Sequence, residues 1–248
     1  VGSQRLKRLF AFGCSFTQYH WPTWADILAR EFDYFENWAL SGGGNQFIFN
    51  SLNECVVKNS ITANDLVAVM WTNVAREDRY VNNRWLVGGN IYTQSAYNKE
   101  FIKNFADPKG YIIRDLSLIH AAKKMLESYN VPYIFMSMMP IDNLNQYFVS
   151  PIRDVESIIE YYQPTISGIK PSVFETVFDS NWKSRPTRIK NDLHPLPSDH
   201  LEYIDSVLKE YTVGDETRSW VNTVTDRLIQ KQDYSDLWQE KANFPKRW

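Results

Sequence analysis

The stretch from Leu6 to Thr17 constrains this chain more than any other. Leu6 to Phe12 is a mostly apolar run, long enough for one buried strand. It stops at Gly13. Cys14, Ser15 and Thr17 follow, and a helical pattern begins near Trp21. A buried strand, a glycine, small polar residues and then a helix is the order in which α/β sheets present a reactive side chain at their carboxyl edge. Glycine permits the tight turn, and the amides beyond it point one way and can hold an anion. Ser15 is therefore the candidate nucleophile, although a lone serine at such a place is more often a helix cap.

The rest of the chain alternates in the same style. Strands are expected at Tyr34 to Leu40, at Asp65 to Trp71, at Val131 to Met136 and, on a weaker pattern, at Val173 to Phe178. The run Asp-Leu-Val-Ala-Val-Met-Trp at 65–71 is continuous and apolar, as a central parallel strand requires. Helical spacing of apolar residues predicts helices over Pro22–Phe32, Gln46–Lys58, Asp115–Tyr129, Val155–Tyr162, from Ser198 to Tyr211, and over Asp215–Gln232. Strands alternating with helices predict one α/β domain over residues 1–248 with a parallel central sheet of about five strands. Two long connections interrupt it, near 75–110 and 140–185, and a helical extension closes it at 213–248. The first connection carries Arg76, Arg79, Arg84, Trp85 and several tyrosines without regular spacing, which marks it as functional or partly mobile.

Composition removes several function classes. The formal net charge of -2 offers no basic face for nucleic acid. No apolar run approaches the roughly 18 residues that a membrane helix needs. Two cysteines, Cys14 and Cys55, make no disulfide framework and suit a reducing, cytoplasmic compartment. The chain opens Val-Gly-Ser-Gln without a Met, so a removed leader stays open. Aromatic residues make up 15% of the chain. Those in loops suit sugar rings or flat apolar ligands, and those of the tail offer a surface for self-association.

Three later stretches offer helpers for Ser15. Gly42, in Ser41-Gly-Gly-Gly-Asn45, can aim its amide at the same spot. Asn73, after Trp71 and Thr72, can donate its side-chain amide to a developing oxyanion; such donors contribute about 3 to 4 kcal/mol each to a barrier. Asp192-Leu-His194-Pro195 supplies an imidazole and a carboxylate, the base and its orienting acid. His200 competes with His194 for the role, and Cys14 competes with Ser15 as a thiol nucleophile. A zinc site from His194 and His200 lacks further ligands at metal spacing, so neither metal nor cofactor is expected.

Serine, glycine, asparagine, then aspartate and histidine, in that order and at those places, resemble the SGNH (GDSL-type) hydrolase superfamily. The resemblance implies a three-layer α/β/α flavodoxin-like fold. It assigns Ser15, Asp192 and His194 to a catalytic triad, and the amides of Ser15 and Gly42 with the Asn73 side chain to the oxyanion hole. It implies hydrolysis of a short-chain ester, often acetyl on a carbohydrate. Trp71 and Arg76 are then expected to border the substrate. Three features depart from the family pattern: Gly-Cys-Ser replaces the usual Gly-Asp-Ser, Trp71 replaces a glycine, and the acid lies two residues before His194. The position three before it is Asn191. The same residues also suit acyl transfer to a sugar hydroxyl, or a binding module that has kept the scaffold without the chemistry.

Overall fold

The computed structural model describes residues 8–93, 96–141, 155–178, 189 and 192–232. Asn191, the first seven residues and the tail from 233 lie outside the described residues, as do parts of both long connections.

Four strands build the central sheet: β1 (Arg8–Phe12), β2 (Tyr34–Asn37), β3 (Asp65–Trp71) and β6 (Tyr133–Ser137), in the order β2-β1-β3-β6 and all parallel. Every residue of β3 is buried, which is why its sequence shows no alternation. Helix α1 (Trp24–Ala29) connects β1 to β2, and α2 (Asn45–Asn59) carries the chain back across β1 to β3. Because such crossovers are right-handed and these two run in opposite directions along the sheet, α1 and α2 cover opposite faces. Helix α4 (Pro108–Ser128) packs with α2 and with α5 (Glu156–Ile166). Helix α7 (Pro197–Val207) packs with α1 and with α8 (Asp215–Lys231). The result is the α/β/α layering that the sequence implied. One cluster of buried residues runs from Leu9 to Val221 through all three layers. Among the described residues no helix is long and apolar enough to cross a membrane.

Two expectations are corrected. The fifth strand is absent among the described residues, because Val173–Thr176 is a short helix, α6. Ser172 and Glu175 form a capping box that starts it, with the Ser172 hydroxyl accepting from the Glu175 amide at 3.2 Å. Among the described residues, the place beside β6 is met by a single parallel bridge, Phe135 to Ile169, with Lys170 donating its amide to the Phe135 carbonyl at 2.8 Å.

The connection read as irregular is the second correction. It holds an antiparallel hairpin, β4 (Arg76–Val81) and β5 (Arg84–Asn90), followed by α3 (Lys99–Phe105). Asn82 and Asn83 turn the hairpin with φ of 51° and 59°. Positive φ at both central residues is the two-residue turn that matches strand twist, and asparagine tolerates it better than most residues.

Candidate active site

Ser15 lies three residues beyond the end of β1, the inner strand between β2 and β3. Its turn is held from several sides. Thr17 and Gln18 donate their amides to the Cys14 carbonyl, at 2.9 and 3.0 Å. The Thr17 carbonyl accepts from the Thr23 hydroxyl and from the Asn37 side chain, both at 2.8 Å. A Cβ on Gly13 would lie 2.0 Å from the Thr17 hydroxyl oxygen, so only glycine fits under this turn. The neighbouring thiol points the other way: Cys14 is fully buried with its Sγ 3.8 Å from Met138 Sδ. That geometry removes Cys14 as the attacking group and leaves Ser15, which makes no hydrogen bond through its hydroxyl among the described residues.

The expected acid and base, Asp192 and His194, lie in the loop before α7. His194 Nδ1 lies 2.9 Å from Asp192 Oδ1, which also accepts the His194 amide at 2.9 Å. Burial alone would push the Asp192 carboxyl up. Hydrogen bonds from His194 and from the Tyr19 hydroxyl overcome that and hold it below the usual carboxylate range. The His194 ring meets Phe16, the residue after Ser15, edge-on at 5.7 Å. The imidazole thus lies against the turn that carries Ser15. Its Nε2 has no partner among the described residues, and hydrogen bonds of this kind tighten only when substrate is bound.

His200, the competing base, sits on α7 beyond Phe16, with the two rings 6.4 Å apart. Burial pushes its imidazole down to about 3, so it is neutral at physiological pH. It is almost wholly inaccessible and has no carboxylate hydrogen bond, which excludes it from the role. No group of three or more metal-ligating side chains occurs among the described residues.

Gly42 and Asn73 flank Ser15 from the ends of β2 and β3. Gly42 has φ of +86°, which a side chain would strain. Its carbonyl accepts from the Gly89 amide of β5 at 3.2 Å, while its own amide has no acceptor among the described residues. The Asn73 Oδ1 accepts from the Ala75 amide at 2.6 Å, which turns the Asn73 amide nitrogen away from that loop and leaves it without a described acceptor. The residue before it is bolted to the start of α2. Thr72 donates its amide to Asn45 Oδ1 at 2.8 Å, and Asn45 Nδ2 donates to the Thr72 carbonyl at 3.0 Å.

The expected substrate contacts fall elsewhere. Trp71 is fully buried, its ring edge-on to Phe135 at 5.4 Å. It packs in the core rather than bordering an open cleft. Arg76 is also buried and donates from Nη1 to the Gly43 carbonyl at 2.7 Å. Asp78, two residues on in β4, accepts the Gly44 amide at 2.9 Å and the Phe47 amide at 2.9 Å. Arg76 and Asp78 therefore grip the two ends of one peptide, Gly43 to Gly44, next to Gly42. Asp78 supplies the acidic N-terminal cap that α2 lacks in its own first turn.

Sequence reasoning missed Tyr19 and Asp78. Tyr19 stands four residues after Ser15, its hydroxyl 2.5 Å from Asp192 Oδ2. Asp78 was hidden in a hairpin that only Asn82-Asn83 could have signalled.

No protein-family model matches this chain, and no curated protein matches it. The solved structures it is similar to are GDSL-like lipases, acylhydrolases and esterases. A GDSL-like lipase from Bacteroides thetaiotaomicron is 15% identical over 84% of this chain and 90% of its own, with a TM-score of 0.44. A putative acylhydrolase from Bacteroides fragilis is 11% identical over 87% and 88%, with a TM-score of 0.46. A psychrotrophic esterase from a Pseudoalteromonas species is 14% identical over 83% and 98%, with a TM-score of 0.45. Identities this low carry no residue roles across.

Proposed function

We propose that this protein is a serine ester hydrolase of SGNH type, acting on a short acyl group, acetyl first among them, esterified to a carbohydrate or similar alcohol. One observation carries the reading. The Ser15 hydroxyl, the His194 Nε2, the Gly42 amide and the Asn73 amide nitrogen are all without described hydrogen-bond partners, beside an imidazole already held by a carboxylate. Most buried or half-buried polar groups in a folded protein are paired. Three that are unpaired beyond the carboxyl ends of β1, β2 and β3, with a fourth in the loop before α7, suit a substrate that pairs them.

In this reading Ser15 Oγ attacks the ester carbonyl carbon as its proton passes to His194 Nε2. The carbonyl oxygen becomes an oxyanion, held by the amides of Ser15 and Gly42 and by Asn73. Collapse of the intermediate breaks the bond to the alcohol, which leaves with the proton from His194. Water then attacks the acyl-serine, giving its proton to His194, and the acid departs as Ser15 regains its hydrogen.

The test is turnover of p-nitrophenyl acetate, butyrate and octanoate and of acetylated sugars, with covalent labelling by a fluorophosphonate. The expected result is fastest turnover of acetyl esters and a single label on Ser15. Ser15→Ala is expected to lower kcat by at least about 10³-fold. A parent protein that neither turns over any ester nor takes the label would be a scaffold without this chemistry.

A further inference from the structure

We propose that Tyr19 is a positioning residue for the acid and base, and that it hangs them on the same segment that carries Ser15. The proposal rests on the ester-hydrolase reading above. Asp192 Oδ1 is fully used by the amide and Nδ1 of His194. Its Oδ2 takes the Tyr19 hydroxyl at 2.5 Å, so the carboxylate is fixed at both oxygens. The Tyr19 ring lies flat on the His194 imidazole, with centroids 3.8 Å apart and planes inclined by 20°. The hydroxyl therefore stops the acid from rotating, and the ring stops the base from tilting.

Tyr19 is itself braced. Trp21 meets its ring edge-on at 4.6 Å and donates its indole N–H to the Pro195 carbonyl at 2.7 Å. Residues 19 and 21 thus clasp residues 192, 194 and 195 in a closed circuit. Phe16 adds a contact from the residue beside Ser15. The spacing between nucleophile and base is then set within a seven-residue segment, 15–21, although the two lie far apart along the chain.

A role of this kind makes a prediction that simple packing does not. The hydroxyl is one of the groups holding the Asp192 carboxyl low, after His194. Among the described residues, the titratable groups packed against it include His194 itself, His20 with its ring 4.9 Å from that of Tyr19, and His200 behind Phe16. His200 stays neutral across the relevant range.

Tyr19→Phe keeps the ring and removes the hydroxyl; Tyr19→Leu removes both. The experiment is a carbon-13 titration of the Asp192 carboxyl in the parent and both variants, with kcat and KM on p-nitrophenyl acetate and circular dichroism to check the fold. Tyr19→Phe is expected to move the Asp192 midpoint upward and to lower kcat about tenfold with KM unchanged. Tyr19→Leu is expected to lower kcat about 10²-fold, so that phenylalanine is a partial rescue. An Asp192 midpoint in Tyr19→Phe equal to that of the parent overturns the proposal. So does a change confined to KM. A parent without ester turnover sinks the hydrolase reading alone, since the titration still decides the role of Tyr19.

Discussion

The two halves of the proposed site are built on opposite plans. The acid–base half is the loop before α7, where the His194 side chain keeps 30% of its exposure. It is held by ring stacking, one hydroxyl and one indole. The oxyanion half is sunk among buried charges. Asp78 caps α2, Arg76 holds Gly43, and Arg114 joins Asp115 at 2.6 Å and the Arg76 carbonyl at 2.7 Å. The proposed roles account for the difference. A group that exchanges protons with water needs access to it. Donors that stabilise developing charge work best when they need not reorganise, and a scaffold of buried, paired groups fixes them in advance. The cost is visible in the carboxylates: burial pushes both Asp78 and Asp115 up, against the pull of their hydrogen-bond partners.

If that contrast holds, substitutions in the two halves should fail in different currencies. Asp192→Ala should lower kcat/KM by about 10⁴-fold, since an unoriented imidazole loses its tautomer and its geometry. Its effect on stability should be smaller than that of a fully buried carboxylate, because the His194 side chain it holds keeps 30% of its exposure. Urea unfolding and ester kinetics on the same preparation separate the two numbers. A large loss of stability in Asp192→Ala would mean that the loop is structural first.

Asp78→Ala is the converse. It leaves the Gly44 and Phe47 amides without their acceptor and removes a buried carboxylate that interacts electrostatically with Arg76 and Arg114. Breaking a buried charged arrangement by removing one partner costs about 3 to 5 kcal/mol. Urea unfolding should show that loss, and the remaining folded enzyme should turn over more slowly with little change in KM. Unchanged stability would show that α2 needs no cap from β4.

This contrast also explains what could be read from the chain beforehand. The sheet was legible where burial on both faces writes an unbroken apolar run, as in Asp65 to Trp71. The nucleophile turn was legible because Gly13 admits no Cβ and Ser15 follows a strand. Gly42, with its positive φ, and the Asp192–His194 pair were read from order and residue type. The supports were not legible. Tyr19 acts across 173 positions, and nothing local distinguishes it from a packing aromatic. Arg76 was expected to border the substrate, because sequence does not reveal that a hairpin folds it beneath the Gly43 carbonyl. Trp71 was misplaced for a related reason. It was expected to border the substrate, yet its ring lies buried against Phe135. Val173 to Phe178 has strand-like composition, but the Ser172–Glu175 capping box outweighs it.

The buried-charge half should further announce itself in the pH dependence of stability. Asp115 receives Arg114 at 2.6 Å and the Asn45 side chain at 2.8 Å, and through Asn45 it reaches Thr72, the neighbour of Asn73. Burial, the largest influence, outweighs those partners and raises its carboxyl from 3.8 to about 6. A carboxyl whose folded value is raised contributes stability that is fully present below the unfolded value and is lost as the pH rises through the folded one. The window is therefore about pH 4 to 6, and the span of about two units corresponds to about 3 kcal/mol. Asp192 and Asp65 have the opposite sign, since their folded values are lowered and their contributions fade as the pH falls. Asp115→Asn should accordingly gain on the parent by up to about 3 kcal/mol between pH 4 and pH 7 when both are unfolded in urea. Parallel stability curves across that window would mean that Asp115 is ionised throughout, and that the oxyanion half carries no more titration strain than the acid–base half.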